Sequence, residues 1–442
     1  MKQKLFVLSM DAMVGEDIEY LRTRPNFKRI MDHCCQIKAV QTIYPSITYP
    51  AHASMITGCR AGKHGVYNNT KFPTDKTYPD WHQFTDELFK VEDLFAAAKR
   101  AGYTTGNVFW PVMGKNRNID YNLNEYLFYD SPDLTDADNV LNGFRKMGAS
   151  EETIEVVKEN MTRIPTEYRH RVGPIRLNHT FDHFINGCIC SMIRRYQPDV
   201  LVAHNCILDT LRHRNGVFNE FVNWGLDMTD YWLGEIADAM AAAGVLENTN
   251  FVIVSDHGQM NFSRRLKPNV LFARKGWLTV GPDGKPTADS KVVSQSNGMC
   301  DSIYVNDKSI LKEVHDYLLS LSAEGVWGFS DVFTTEEVDK LYGWSGPFDF
   351  VIETDGYTTF SDECKEPLIA AIDFSDYRLG KATHGYRPEK GPQPVFVAVG
   401  PAFKKDVTIP FAYTIDEAPT FARILGDSLP QADGRVIEEI LA

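Results

Sequence analysis

Six acidic and histidine side chains, spread over four short segments of the 442-residue chain, have the chemistry to hold metal ions. They are Asp11, Asp209, His213, Asp256, His257 and His384. Carboxylate oxygens and imidazole nitrogens suit zinc and related divalent cations. Three Asp and three His residues could hold two such cations, and the hydroxyl of Thr48 could then be activated as a nucleophile. The set predicts a two-metal hydrolase that transfers phosphoryl groups.

The positions of two of these segments favour a shared site. Asp11 directly follows an apolar run over residues 5–10, and Asp256 follows a second apolar run over residues 250–254. In open α/β sheets, ligands bind at the carboxyl ends of the strands, so both carboxylates would face a site. A helix cap at Asp11 and an ordinary turn at Asp256 are the structural alternatives.

Asp209 and His213 are four residues apart, which places both on one face if this stretch is helical. The alternative is an exposed pair on a helix surface. Arg212 and His204 lie nearby, so not every polar group here need be a ligand. His384 stands in an Ala-Thr-His-Gly-Tyr segment, for which an ordinary turn is the alternative.

Thr48 lies two residues before Pro50, at the predicted start of a helix over residues 51–57. A helix N-terminus attracts negative charge and offers N–H groups to a phosphoryl oxygen, so a hydroxyl there could act as a nucleophile. Plain capping by Ser46 or Thr48 is the alternative. Asn69 could donate its amide to a developing oxyanion, or it could be a turn residue.

Strands that alternate with helices must position these residues. Strands are predicted over residues 5–10, 37–43, 104–109, 200–204, 250–254 and 395–399. Helices are predicted over residues 25–33, 51–57, 91–101, 137–147, 151–161, 181–196, 218–243 and 414–424. This alternation is typical of a doubly wound, mostly parallel α/β sheet.

The pattern changes between residues 262 and 381. A compact β-α-α-β piece is predicted there, with elements over residues 302–305, 310–321, 336–342 and 349–353. We interpret this piece as an α+β subdomain inserted into one catalytic domain that spans residues 1–442. The insertion would separate Asp256 from His384.

The composition is ordinary for a soluble protein, with 43% hydrophobic and 24% charged residues. The net charge of −13 argues against polymeric nucleic acid or anionic membrane as a partner, whereas bound cations would still admit a small phosphate ester. No apolar stretch approaches the roughly 18 to 20 residues of a membrane span, and we expect no secretory signal. None of the eight cysteines forms a C-x-x-C pair, so we expect thiols in a reducing cytoplasm.

The ordered segments resemble the nucleotide pyrophosphatase/phosphodiesterase branch of the alkaline phosphatase superfamily. The matching motifs are Asp11, Thr48-Tyr-Pro-Ala-His52, His64 to Asn69, Asp209 to His213, Asp256-His257-Gly258, Thr383-His384-Gly385 and Asp433-Gly434. The resemblance implies an alkaline phosphatase-like fold and two divalent ions, usually zinc. One ion would be bound by Asp209, His213 and His384. The other would be bound by Asp11, Asp256, His257 and Thr48.

The resemblance also implies roles for three residues outside the two ligand sets. Asn69 matches an amide that holds a phosphoryl oxygen. Tyr49 occupies the place of an aromatic residue that stacks on a substrate group. Trp110, in Phe109-Trp110-Pro111, lies in a segment that resembles one near the family's substrate pocket.

These implications predict hydrolysis of phosphodiester or phosphoanhydride bonds in small molecules through a covalent phosphothreonine at Thr48. Arg60 and Lys63 after the nucleophile, and the lack of a proline before Asp209, leave a nucleotide preference open. The alternative reactions are phosphonate and phosphomonoester hydrolysis, and the alternative class is a metal-binding protein without catalysis. Sulfatase chemistry is not favoured, because Thr48-Tyr-Pro-Ala-His lacks the Cys or Ser of a C/S-x-P-x-R motif.

Overall fold

A computed structural model describes residues 2–72, 89–114, 116–125, 136–164, 181–374 and 380–442. Its strands are β1 (Lys4–Met10), β2 (Cys35–Gln41), β3 (Thr105–Val108), β4 (Tyr121–Leu123), β5 (Val200–Asn205), β6 (Thr249–Val254), β7 (Met260–Asn261), β8 (Arg264–Leu266), β9 (Val292–Ser296), β10 (Cys300–Val305), β11 (Phe329–Thr334), β12 (Phe350–Thr354), β13 (Thr358–Phe360), β14 (Ile369–Ala370), β15 (Ala382–Thr383), β16 (Phe396–Val399) and β17 (Thr408–Tyr413). Its α-helices span Gly15–Leu21, Pro25–Met31, Thr48–Thr57, Ala61–His64, Leu94–Arg100, Ala137–Lys146, Glu151–Asn160, Asp182–Tyr196, Ile207–Asn215, Glu220–Ala242, Pro268–Arg274, Leu311–Glu324, Thr335–Tyr342 and Glu417–Ile424.

Eight strands form the central sheet, in the order β17-β2-β16-β6-β1-β5-β3-β4. Neighbouring strands are parallel, except that β16 runs antiparallel to both β6 and β2. Helices cover both faces. The predicted doubly wound, mostly parallel α/β sheet is therefore confirmed.

The central strand β1 shows why this sheet is stable. Phe6 and Leu8 point into the core on one face of the sheet, and Leu5 and Val7 point into the core on the other face. All four side chains are buried. Burial on both faces is what an uninterrupted apolar strand in a parallel sheet requires, because apolar surface removed from water is stabilising.

Three central strands end together. Met10 of β1 pairs with Asn205 of β5, and Ser9 pairs with Val254 of β6. The residues that follow these strands therefore meet at one edge of the sheet, where ligands of open α/β sheets bind. Asp11 is the first residue after β1 at this edge.

The stretch between β7 and β15 contains a second sheet. β7 and β15 pair antiparallel, with Asn261 opposite Ala382, so the chain leaves and re-enters the main fold at one point. Within the stretch, a four-stranded antiparallel sheet has the order β11-β12-β10-β9. The expected β-α-α-β pattern contains only the two inner strands. It omits the edge strands β9 and β11, whose sequences carry a larger share of polar residues.

Other differences from the predicted elements are shifted boundaries and elements that were not predicted, among them the helices Gly15–Leu21, Ile207–Asn215 and Pro268–Arg274. The nucleophile helix begins at Thr48 rather than at residue 51, because Pro50 fits within a first turn whose N–H groups have no helical partner. The last helix begins at Glu417, after a 3₁₀ turn over Thr414–Asp416. The edge strand β17 was not predicted, since most of its side chains are exposed. No helix in the described part of the chain combines the length and apolar composition needed to cross a bilayer.

Candidate metal and catalytic site

Two of the predicted carboxylates are fixed by the turns that follow β1 and β6. Asp11 and Asp256 are completely buried. The Asp11 N–H donates to the Asn205 carbonyl at 2.9 Å, and the Ala12 N–H donates to Asp256 Oδ1 at 3.1 Å. Ala12 has a φ of 59°, which turns the chain sharply after Asp11. These backbone contacts hold both carboxylates at the sheet edge.

Asp11, Asp256 and His257 form one ligand group, with one donor atom from each lying within 4.8 Å of the others. His257 Nε2 is 3.2 Å from Asp256 Oδ2 and 3.6 Å from Asp11 Oδ1. Thr48 Oγ1 is 3.2 Å from the same His257 nitrogen. The structure therefore brings the nucleophile candidate together with the ligands to which the sequence assigns it.

Asp209, His213 and His384, to which the family resemblance assigns the other ion, also lie close together. The helix Ile207–Asn215 carries the first two, and Asp209 Oδ1 is 3.2 Å from His213 Nε2. Asp209 Oδ1 also lies 3.7 Å from His384 Nε2. His213 Nδ1 donates to the Ala382 carbonyl at 2.7 Å, which fixes the ring tautomer and directs Nε2 toward Asp209.

The two groups adjoin each other through stacked imidazoles. The rings of His257 and His384 stack with their centroids 4.0 Å apart. Asp209, His257 and His384 also have donor atoms within 4.8 Å of one another. All six predicted ligands therefore occupy one continuous cluster, in which five are buried and the His384 side chain is 12% exposed. A pair of neighbouring ions would require such a cluster.

The charges in this cluster fit divalent cations. Burial lowers the pKa of His257 to about 4, so its imidazole is neutral near pH 7 and has a lone pair to offer. Burial alone would raise the pKa of Asp209, but His213 and His384 hold that pKa below its usual value. Burial raises the pKa of Asp256, whose Oδ2 accepts no hydrogen bond although it is enclosed. A bound cation would satisfy this buried oxygen.

Thr48 is the first residue of its helix, and Asn69 lies beside it. The Tyr49 N–H donates to Asn69 Oδ1 at 2.8 Å. Because the amide oxygen is engaged, the amide NH₂ remains as the donor side of Asn69. The half-buried amide is therefore held next to the helix N-terminus in an orientation that can present N–H groups to a ligand.

The model of the family described as type I phosphodiesterase / nucleotide pyrophosphatase matches residues 5–387. The chain belongs to this family. Ectonucleotide pyrophosphatase/phosphodiesterase C27A7.1 of Caenorhabditis elegans is 24% identical over 440 residues, which cover 96% of this chain and 43% of that protein. Bis(5'-adenosyl)-triphosphatase enpp4 of Xenopus laevis is 20% identical over 445 residues, which cover 96% of this chain and 78% of that protein.

Human ectonucleotide pyrophosphatase/phosphodiesterase family member 5 is 30% identical over 115 residues, which cover 25% of this chain and 24% of that protein. The chain thus spans less than half the length of this relative and of the worm relative. The solved structure of murine family member 5 superimposes with a TM-score of 0.67 at 18% identity, covering 100% of both chains. An inactive variant of that murine protein, in complex with AMP, superimposes equally well. These structures share the fold of this phosphodiesterase-family chain.

Tyr49 and Trp110, to which the family resemblance gives a place at or near the substrate, are both buried in this structure. Their substrate-binding roles stay predictions. The Tyr49 hydroxyl donates to Glu125 Oε2 at 2.6 Å, and its ring packs beside Val66. Trp110 meets His52 edge-on with ring centroids 4.9 Å apart. Both aromatics pack behind the site.

The two basic residues that depart from the family pattern have a structural partner. Lys63 Nζ lies 2.7 Å from Asp433 Oδ1, and the Arg60 N–H donates to Asp433 Oδ2 at 2.9 Å. The Asp433 and Gly434 N–H groups both donate to the Gly58 carbonyl. The C-terminal Asp-Gly motif therefore holds the turn that follows the nucleophile helix, through the Lys63 ammonium and the backbone N–H of Arg60. The Arg60 guanidinium donates instead to the Tyr342 carbonyl at 3.1 Å.

Sequence reasoning missed three residues that support the ligands. Gln259 Nε2 donates to Asp209 Oδ1 at 2.6 Å. His52 lies one helical turn after Thr48, and its Nδ1 donates to the Thr48 carbonyl at 2.8 Å. Arg212 is fully buried, and it donates to the Ala12 carbonyl beside Asp11. Of these three residues, only His52 could have been found from the sequence, through its four-residue spacing from Thr48.

Arg212 is anchored by a buried ion pair. Its Nη2 lies 2.7 Å from Asp17 Oδ1 and 2.8 Å from Asp17 Oδ2, so the guanidinium binds the carboxylate through two hydrogen bonds. The Val14 N–H also donates to Asp17 at 2.8 Å. This arrangement fixes the turn between Asp11 and the helix Gly15–Leu21. Arg212 therefore acts on the site through the backbone rather than as a ligand.

Proposed function

We propose that the protein hydrolyses phosphodiester or phosphoanhydride bonds of small molecules, with two divalent ions and Thr48 as the nucleophile. One observation carries this proposal. Thr48 Oγ1 lies 3.2 Å from His257 Nε2, at the start of a helix and beside the place where two ligand groups adjoin. Nucleophilic catalysis requires a hydroxyl at such a position, next to the groups that would hold the ions.

The donor sets suit zinc. Asp11, Asp256, His257 and Thr48 would hold one ion, and Asp209, His213 and His384 would hold the other. Two bound ions would stabilise the attacking and leaving oxygens of an in-line displacement. Family membership supports metal-dependent chemistry, and the choice of zinc is part of the proposal.

The reaction follows from the positions of the protein's own groups. Thr48 Oγ1 forms a bond to phosphorus while the bond to the departing oxygen breaks, which leaves the phosphoryl group on Thr48. The Asn69 amide, oriented by the Tyr49 N–H, donates to a non-bridging oxygen as negative charge grows there. The helix N-terminus favours the same charge. Water then cleaves the phosphothreonine and restores the hydroxyl.

The names of relatives suggest the substrate class. One relative is a bis(5'-adenosyl)-triphosphatase, and a structural neighbour was solved with AMP. We therefore propose that nucleotides with phosphodiester or phosphoanhydride linkages are substrates of this chain. The negative net charge does not oppose this, because two bound ions would dominate the field near the substrate.

A substrate panel and a matched pair of variants test the reaction. Zinc-reconstituted protein should hydrolyse bis-p-nitrophenyl phosphate and a dinucleoside triphosphate faster than p-nitrophenyl phosphate or phosphonoacetate. Thr48→Ala should abolish turnover while it retains the metal content, and Thr48→Ser should keep measurable activity because it keeps a hydroxyl. Acid-quenched wild-type enzyme should yield a phosphopeptide that contains Thr48.

The same panel separates the competing functions. Preferential cleavage of phosphonoacetate would indicate a phosphonate hydrolase, and preferential cleavage of the monoester would indicate a phosphomonoesterase. Metal binding without turnover of any substrate would indicate a binding protein. Full activity of Thr48→Ala would remove Thr48 from the mechanism.

We also propose that the protein acts in the cytoplasm. All eight cysteines are thiols rather than disulfides, which agrees with a reducing compartment. Cell fractionation with an antibody against the native protein tests this location. Recovery from the medium or the cell surface would contradict it.

A further inference from the structure

A third group of ligand atoms lies beside the two groups described above. His204 is in β5 and Cys206 follows that strand. Their donor atoms and that of Asp11 all lie within 4.8 Å of one another, and all three side chains are buried. We propose that Asp11, His204 and Cys206 form a third metal site, which takes zinc or another divalent ion that accepts thiolate sulfur. This inference goes beyond the proposed function, whose two ligand sets include neither His204 nor Cys206.

The spacing of these atoms is close to that of a tetrahedral site. At zinc bond lengths of about 2.0 Å to nitrogen or oxygen and about 2.3 Å to sulfur, tetrahedral neighbours lie about 3.3 Å (N···O) and about 3.5 Å (N···S) apart. His204 Nε2 is 3.3 Å from Asp11 Oδ2 and 3.9 Å from Cys206 Sγ. Small side-chain movements would bring all three atoms to bonding distance of one ion.

Asp11 is placed to join this group to its neighbour. Its Oδ2 faces His204 at 3.3 Å, whereas its Oδ1 faces His257 at 3.6 Å. A carboxylate whose two oxygens face different ligand groups can bridge two ions. The third ion would thus help to fix Asp11, which also belongs to the nucleophile-side group.

Local structure holds the other two ligands in place. Residues 204 and 206 follow the two-residue period of an extended chain, so their side chains lie on the same side. The Cys206 N–H donates to Asp182 Oδ1 at 2.6 Å, and the rings of His52 and His204 meet with centroids 4.4 Å apart. These contacts involve protein atoms alone, so they would organise the site before an ion binds.

A simpler role for His204 is a hydrogen bond that orients Asp11. That role accounts for the 3.3 Å contact between His204 and Asp11, but it gives no reason for a thiol within ligand distance of both. The two roles differ in metal stoichiometry and in whether sulfur binds the metal. Both quantities can be measured without an activity assay.

Titration of the metal-free, full-length protein with cobalt(II) tests the site. Wild type should bind three ions per chain and develop a near-ultraviolet thiolate-to-cobalt absorption band. Cys206→Ser and His204→Ala should each bind two ions, and Cys206→Ser should lose the band. Cys364→Ser is the matched control, since Cys364 is 7% exposed and Cys206 is 8% exposed. It should bind three ions and keep the band.

The outcomes separate this inference from the proposed function. Asp209→Asn should lose one ion but keep the thiolate band, because Asp209 belongs to another group. Two ions without a thiolate band in wild type, together with phosphothreonine formation at Thr48, would overturn the third site and leave the hydrolase proposal intact. A band that persists in Cys206→Ser would also overturn the third site.

A measurement on wild type alone covers the case in which a variant does not fold. Cysteine alkylation mapped by mass spectrometry should show that the third equivalent of zinc slows labelling of Cys206 at least tenfold, while labelling of Cys364 stays unchanged. Equal labelling of Cys206 before and after the third equivalent would contradict the proposal.

Discussion

The central sheet and the inserted subdomain contribute to the site in different ways. The sheet supplies ligands directly: Asp11 and Asp256 follow β1 and β6, and the helix after β5 carries Asp209. The stretch between β7 and β15, here called the insertion, contributes hydrogen bonds that hold residues of the site in place. Its Met299 N–H donates to the carbonyl of His384 at 2.8 Å. Ligand chemistry is thus concentrated in the sheet, and the loops that complete the site depend on the insertion.

The insertion also holds the loop that carries Asn69. Trp344 Nε1 donates to the Tyr67 carbonyl at 3.0 Å, and Gln295 Nε2 donates to Thr70 Oγ1 at 2.9 Å. Phe72 stacks on Tyr304 with ring centroids 3.6 Å apart. The stretch between β7 and β15 therefore positions both Asn69, the proposed oxyanion donor, and His384, a proposed metal ligand.

Two buried carboxyl groups, one in each region, have pKa values shifted in opposite directions. Histidines around Asp209 outweigh the effect of burial and lower the pKa of that carboxyl. Burial raises the pKa of Asp301 in β10 well above its usual value, and the charge of Asp362 adds to the shift. Asp209 therefore favours its ionised form, whereas Asp301 favours its neutral form. Burial also raises the pKa of Asp256, so the direction of the shift depends on the neighbouring charges and not on the region.

The largest expected effect comes from removal of a ligand in the central sheet. Asp256→Ala should lose one metal ion and reduce kcat/KM on the order of 10³-fold or more, beyond the roughly 10- to 100-fold typical of residues that only orient ligands. Metal analysis and steady-state kinetics on a diester measure both effects. Asp238→Ala is the control, because Asp238 makes only an exposed ion pair with Arg29. If Asp256→Ala kept both ions and wild-type activity, the central sheet would not supply an essential ligand at this position.

Asn69→Ala should have the next largest effect. Loss of the amide donor should lower kcat roughly 10²- to 10³-fold, as removal of an oxyanion donor does in other enzymes. Metal content should stay at the wild-type value, because Asn69 is not a ligand. A variant that loses metal instead would show that the Asn69 loop supports the ions rather than the transferred phosphoryl group.

A smaller effect is expected from the contact between the insertion and this loop. Gln295→Ala removes the hydrogen bond to Thr70 and should lower kcat about tenfold with the metal content unchanged. Tyr304→Phe is the matched control, because it removes the 2.8 Å bond from the Tyr304 hydroxyl to Gln295 but keeps the bond to Thr70. Equal losses of kcat in both variants would show that the effect comes from general disruption of the insertion and not from the hydrogen bond between Gln295 and Thr70.

The smallest effect concerns stability and its pH dependence. Because the folded-state pKa of Asp301 is raised, its favourable contribution is complete only below its ordinary pKa of about 3.9 and is lost as pH rises through the folded-state value. Asp301→Asn should therefore have a larger free energy of unfolding than wild type, by about 1 kcal/mol at pH 8 and by less at pH 5, and a correspondingly higher unfolding temperature. Calorimetry at both pH values tests the sign. A variant that is less stable at pH 8 would contradict it.

Simple local patterns indicated several candidate ligand positions, and the order of the motifs, which resembles that of the family, grouped them into two sets. Asp11 and Asp256 follow apolar strands, and Asp209 and His213 have helical spacing. The inner strands of the insertion could be predicted for a similar reason, since their side chains are mostly apolar and buried.

Long-range contacts could not be predicted from sequence. Gln259, which donates to Asp209, has no spacing that marks it, and Arg212 acts through Ala12, 200 residues earlier in the chain. The burial of Tyr49 depends on residues such as Glu125, which lies 76 positions away. Motif order therefore identified the chemistry, but the tertiary fold decides which aromatic rings remain accessible.

Anomalous diffraction at the zinc edge, on crystals of zinc-reconstituted protein, tests the central claim most directly. We expect one peak among Asp11, Asp256, His257 and Thr48, and another among Asp209, His213 and His384, about 3.5–4 Å apart. The site proposed at Asp11, His204 and Cys206 would add a third peak. Absence of a peak from either ligand group in fully reconstituted crystals would contradict the two-metal site beside Thr48.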